Sequence, residues 1–334
     1  MSAVAVGRKT KRRVIPDSPI AGPLATLIGV FVLFSLFVPH FFTIRSVSGI
    51  LGAATLTGTV TIGITLLMIA GEFDLSVGSM MAMGAFLYGL HTIEGGNPLW
   101  ALFLALFVPG LMGALNGFIL VRTGIPSFIV TLSTMFIYRG LVWLYSGGQM
   151  LQTIEKVPVY DVFNGRMSFI ADAVKGANFR TAALWFIGLV FLFQYVLVRT
   201  RFGNHVFAAG GNVGAAAAQG VNVKRTKLLC FIISGALAGF AGVLLFSQFK
   251  TARIATGAGT ELTAIASAVV GGALLSGGSG SIVGALLGVL IISMLRTGII
   301  LLNLPFIPAD NFEAIVGVTI VGAAIFNNWV RGRS

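Results

Sequence analysis

TLTGTVTIGITLLMIAGEFDLSVGSMMAMGAFLYGL, residues 55–90, is the stretch whose reading decides the fold. An apolar run suited to crossing a membrane stops at Gly71 and meets two acids, Glu72 and Asp74. Three positions later the chain is apolar again. Two membrane helices joined by a short polar break fit this pattern, because about 20 apolar residues are needed to span the hydrocarbon core. Asp74, followed by Leu75, Ser76 and Val77, suits the N-cap of the second helix, where a carboxylate also meets the positive end of the helix dipole. Ser76 shares that capping, and Gly71 and Gly78 permit close packing.

The remainder of the 334 residues extends the same pattern. The chain is 56% hydrophobic and only 10% charged, whereas soluble domains average about 25% charged residues. Runs of membrane-spanning length fall at 20–39, 50–70, 75–92, 99–121, 126–146, 181–198, 228–249, 262–276, 281–302 and 311–328, the eighth short and glycine-rich enough to be partial or re-entrant. The expectation is an all-α polytopic membrane protein of about ten helices, some of them short or broken. Residues 1–19 and 329–334 form tails around a single membrane domain, 20–328. The basic N-terminal segment precedes a long span without a clear cleavage site, so it reads as the lead into a first membrane helix.

The net charge of +12 lies in short connectors between apolar runs, which is a topology signal and not a nucleic-acid surface. With both termini cytoplasmic, most Lys and Arg residues fall inside, including Arg122, Arg199, Arg201, Lys224, Arg225 and Lys227. Four of the seven outside residues share one long segment, 147–180, where translocation is least sensitive to charge.

Chemistry of the catalytic kind is missing from the sequence. No Gly-x-x-x-x-Gly-Lys-Ser/Thr loop is present, because none of Lys9, Lys11, Lys156, Lys175, Lys224, Lys227 and Lys250 follows a glycine. GGSGS at 277–281 reads as a tight turn. Cys230 is the only cysteine, no metal-ligand spacing appears, and no cofactor is implied. The chain reads as a conduit and not an enzyme.

Two sets of residues remain as candidates. The loop 199–227, RTRFGNHVFAAGGNVGAAAAQGVNVKRTK, contains Asn212 as a helix cap, the helix formers Ala215–Ala218 and Gly220 at a left-handed helix end. The result is a smooth two-turn knob, over Asn212–Gln219, suited to a cleft in another protein. Thr57, Thr61, Asn116, Thr134 and Arg296 are polar positions inside spans and candidates for a translocation path. Ser133 and Gln248 are further candidates of the same kind. Arg139 is an intramembrane cation best suited to anchoring, and Arg296 has Glu261 or Asp310 as candidate partners. Lys250, Arg253 and Glu261, in 248–261, face outward in this scheme.

AAGGNVGAAAAQGVNVKRTK (208–227), GEFDLSVGS (71–79) and ELTAIASAVVGGALLSGGSGSIVGALLG (261–288) together resemble the permease subunit of bacterial ABC importers for monosaccharides of the ribose, xylose and arabinose type. The likeness runs from PHFFTIRSVSGIL (39–51) to the end. It implies a multi-pass inner-membrane protein that pairs with a second copy, two cytoplasmic ATPase subunits and an extracytoplasmic sugar-binding protein. By the same resemblance Gly210, Gly211, Asn212, Ala215, Ala216 and Gly220 dock on the ATPase. The family pattern has a small residue and Ile before Asp-Leu-Ser; Glu72 and Phe73 depart from it. Two alternatives stay open: a stand-alone facilitator or ion-coupled carrier using Glu72, Asp74 and Arg296 as a relay, and an importer for branched-chain amino acids.

Overall fold

The computed structural model describes residues 20–302, with Ala314, Gly317, Val318, Val321 and Gly322. The tails at 1–19 and 329–334, Asp310 and most of the tenth candidate span, 311–328, lie outside the described residues. What is described is helical apart from one two-residue ribbon.

In chain order the apolar helices are α1 (Ala21–Phe37), α2 (Ile44–Ile69), α3 (Val77–Ile93), α4 (Pro98–Thr123) and α5 (Ser127–Ser146). A segment with α6 (Pro158–Asn164) and α7 (Ser168–Ala173) leads to α8 (Ala182–Arg199). Next come α9 (Arg201–Gly211), α10 (Val213–Ala218), α11 (Val223–Phe249), α12 (Thr260–Val270) and α13 (Ile282–Leu302). Six of these, α2, α4, α5, α8, α11 and α13, are long and apolar enough to cross a membrane, while α1, α3 and α12 are apolar but shorter. At 1.5 Å per residue α12 is about 16 Å long, half a bilayer, so the run at 262–276 is a partial span that stops at Val270.

Local chemistry sets the boundaries. Thr43 caps α2 by accepting from Ser46 N–H. Asn97 caps α4 at Leu99 N–H, with Pro98 in the first turn where its missing donor costs nothing. Gly124 and Gly147, both at positive φ, end α4 and α5.

The center of the bundle is α2, α3 and α11, with α4 against α11 along its length. Lipid gives helices no hydrophobic drive to associate, so close approach of backbones has to supply the contact energy. Gly235 and Gly239 of α11 meet the Pro109 and Ala105 carbonyls of α4, where an added Cβ would come within 2.1 and 2.0 Å. Pro109 has no N–H for the Ala105 carbonyl four residues back. Gly239 packs against the oxygen left free. Gly84 of α3 meets Gly239 from the other side.

The outer face of α4 is a stripe of Trp100, Phe103, Phe107, Leu111 and Phe118, all exposed in the isolated chain. Large apolar side chains directed outward from a polar-bearing interior are what a lipid environment demands. At one end of the bundle, β1 (Leu151–Gln152) pairs antiparallel with β2 (Thr251–Ala252). The segment 147–181 is packed there: Tyr160 and Phe163 of α6 join Tyr88 and Phe246 edge to face. Arg180 donates to the Asn164 carbonyl at 2.9 Å. Burial, then the nearby Arg166 charge, pull its guanidinium below the ordinary value, against the attraction of Asp161.

Candidate functional site

The break after α2 is built residue by residue. Gly71, at φ +81, and Glu72 close a Schellman motif: Gly71 N–H bonds to the Met68 carbonyl and Glu72 N–H to the Leu67 carbonyl, both at 2.9 Å. Each following residue is then tied to a different helix. Glu72 pairs with Lys227 of α11 at 2.5 Å, both side chains largely buried. Phe73 N–H donates to Ser127 Oγ at the start of α5. Asp74, fully buried, accepts from Ser76 N–H at 2.8 Å and Ser76 Oγ at 2.6 Å. Asn116 of α4 donates to Ser76 Oγ at 2.8 Å, and Tyr138 of α5 lies 2.9 Å from Asn116 Oδ1. Non-helical backbone at membrane depth survives only when protein groups satisfy it, and here α2 carbonyls, Ser127 of α5 and the Asp74 carboxylate do so, while α4 and α11 tie the side chains. Asp74 Oδ2 has no hydrogen-bond partner, so the network uses half of the carboxylate.

A second turn approaches the same level from the opposite end of the bundle. After β2 the chain folds back, and Gly257 packs on Gly78, where a Cβ would meet the Gly257 carbonyl at 2.4 Å. Arg139 of α5 donates to the carbonyls of Ile254 and Thr256. Glu261 Oε1 accepts from Gly259 N–H at the start of α12.

The loop between α8 and α11 holds the amphipathic α9 and the short α10. Asn212 caps α10 at Ala215 N–H, 2.9 Å, and Gly220 follows it at φ +82. At the end of α9, Gly210 sits against the end of α2: a Cβ there would come within 1.9 Å of the Ile69 carbonyl. Gly277 meets Gly71 and Gly210, Gly278 meets Gly211, and Gly278 N–H bonds to the Ile69 carbonyl at 2.8 Å. Three segments therefore meet through glycines and the Ile69 carbonyl.

Of the polar positions within spans, only Thr57 and Arg296 come together. They line a cleft of about 20 Å³, room for one water, with Thr263, Ser267 and Ser293. Thr55, Thr59, Thr61 and Thr65 each donate to the carbonyl four residues back, so their hydroxyls serve their own helix. Thr134 bonds to the Thr131 carbonyl, and Asn116 belongs to the Asp74 network. No group of three or more His, Cys, Asp or Glu residues placed to hold a metal occurs among the described residues.

The profile of a family described as branched-chain amino acid transport system / permease component matches residues 46–324. The chain belongs to this permease family. It is 33% identical to the ribose import permease protein RbsC of Escherichia coli over 90% of this chain and 91% of that one. It is 33% identical to the L-arabinose ABC transporter permease protein AraH of Azospirillum brasilense, over 85% and 81%. To the autoinducer 2 import system permease protein LsrC of Salmonella typhi it is 30% identical, over 95% and 88%. A solved metal-chelate type ABC transporter in an inward-facing conformation shares the fold, with TM-score 0.51 at 16% identity over 91% of this chain and 97% of that one. The permease is thus a multi-pass protein of the bacterial inner membrane.

Three sequence expectations change in the permease structure. Asp74 is not the N-cap of α3: that residue is Ser76, whose hydroxyl turns back to Asp74, and the carboxylate holds the extended segment before the helix. Gly210, on the last turn of α9, is packed against α2 and the 277–278 turn, and Ala216 is buried, whereas Gly211 stays exposed. Every residue of the Asn212–Gln219 knob except Ala216 is exposed, Ala215, Ala217 and Ala218 among them. Glu261 does not face outward; it lies beside Gly78 in the turned-back segment. GGSGS is a turn, as read, but one that bears on Gly71 and the α9 end. That contact left no signal in the sequence, because glycine turns look alike whatever they pack against.

Proposed function

We propose that this permease is the membrane subunit of an ATP-driven importer for a monosaccharide or related polyol. It works as a homodimer of ten-span chains with both termini cytoplasmic. Two ATPase subunits bind the 199–227 loop, and an extracytoplasmic binding protein delivers the sugar at the opposite end. The observation that carries this reading is the 33% identity, across nine-tenths of both chains, to a ribose import permease. The exposed alanine knob supplies a docking element that a stand-alone carrier has no use for. Thr57 and Arg296, with the hydroxyls of Thr263, Ser267 and Ser293, are the part of the translocation path that one chain contributes. Hydroxyls and a guanidinium suit a neutral polyol. A zwitterionic amino acid needs a counter-charge for its ammonium group, and that lining includes no carboxylate.

Reconstitution tests the reading. Chain, ATPase and binding protein together in liposomes should take up labelled D-ribose or L-arabinose only with ATP, and leave L-leucine outside. Sugar uptake by the purified chain alone, without ATP, would overturn the importer assignment, and ATP-driven leucine uptake would overturn the cargo.

A further inference from the structure

Both ends of the docking loop return to two consecutive residues of the break. The end of α9 rests on Gly71 through Gly210 and the 277–278 turn, a contact between backbones with no side chain in it. The start of α11 rests on Glu72 through the Lys227 pair. The Schellman bonds fix Gly71 and Glu72 to α2, so neither slips relative to that helix when the loop moves. From there the chain runs directly into Phe73, Asp74 and Ser76, bound to α5 and α4. The knob thus stands on two feet. One is held by close packing of backbones; the other adds to the packing of α11 on α4 an ion pair between an acid and a long flexible cation.

We propose that Glu72 is a positioning residue for transport: its pair with Lys227 carries displacement of the 199–227 loop into the Asp74 break and so into α3, α4 and α5. This rests on the importer reading above and adds to it a route for the coupling. Without the pair, Glu72 loses the one side-chain tie to α11 seen among the described residues, and the first turn of α11, with the knob before it, is freer to shift relative to the break while the rest of α11 stays packed on α2, α3 and α4. Coupling of this kind passes through an element whose position both sites bias.

The test compares Glu72→Gln, Lys227→Met and the exchanged pair Glu72→Lys/Lys227→Glu. Each is assembled with ATPase and binding protein in liposomes, with D-ribose as the probe. The readouts are co-purification of the ATPase, thermal stability, and ribose taken up per ATP hydrolysed. The two single variants should co-purify and hydrolyse ATP like the parent, with uptake per ATP down about fivefold or more, the lower end of typical coupling free energies. The exchanged pair should restore most of it. An unchanged ratio in the single variants overturns the proposal, and so does a stable exchanged pair that fails to recover the ratio. If a single variant fails to assemble, the exchanged pair decides alone on the same criterion. Failure of the parent to co-purify with an ATPase is a different result, and it strikes the importer reading first.

Discussion

Asp74 shows why a residue's type and its neighbours underdetermine its role. An acid three residues before a helix, with serine following two positions on, fits both a cap and a turn; the same side-chain oxygen serves either. The structure resolves the ambiguity by burial: the carboxylate is inside the bundle and its partners come from Ser76, with Asn116 and Tyr138 one step further out. Replacing it by alanine leaves the Ser76 N–H and hydroxyl without an acceptor. Charge-assisted bonds are worth about 1.5–3 kcal/mol each, so Asp74→Ala should lower the unfolding free energy of the detergent-solubilised chain by at least about that amount, read as a lower unfolding midpoint. Asn116→Ala should cost less, since Ser76 keeps Asp74. An unaltered midpoint for Asp74→Ala would mean that the network does not hold the break.

At the level of elements, α10 was legible because its signals are local. A cap, four alanines and a left-handed glycine need no partner to specify two turns of helix. What was not legible is which residues of the knob are free, since that depends on what α9 and α11 cover. Ala215→Arg or Ala218→Arg should therefore insert and fold normally and lose ATPase co-purification. Gly210→Ala should fail earlier, at folding, because its Cβ would press on the Ile69 carbonyl. Overpacking of this sort costs about 1–3 kcal/mol, read as lower expression and thermal stability. Normal stability in Gly210→Ala would mean that the glycine junction is looser than its geometry implies. Asn212→Ala, which removes only the cap, should cost about 1 kcal/mol and weaken docking in proportion.

For the whole molecule, each of the first nine candidate runs overlaps a described helix with ends agreeing to within six residues, six of those helices being long enough to span, because apolar length is a property of the chain alone. The path residues did not fare as evenly. A threonine that bonds to its own helix and one that faces a cleft are identical in sequence, and only packing of α12 and α13 against α2 separates Thr57 from Thr61. Arg296→Met, which keeps the stem and removes the charged donors, should slow sugar uptake by about fivefold, the worth of roughly one hydrogen bond. ATPase assembly should stay intact. Uptake at the parent rate would remove Arg296 from the path.

Hydrophobic run length, the polar break at 71–76, the alanine knob and the lack of a phosphate loop were all determined by the sequence by itself, because each is written in contiguous residues. Only the tertiary structure decided that Glu72 pairs with Lys227, that Gly71, Gly210 and Gly277 meet, and that Thr57 joins Arg296. Those pairings span from about 70 to more than 200 residues of chain. In a bilayer such contacts are selected by how closely backbones can approach and which polar groups must be satisfied, and neither quantity exists until the helices have packed.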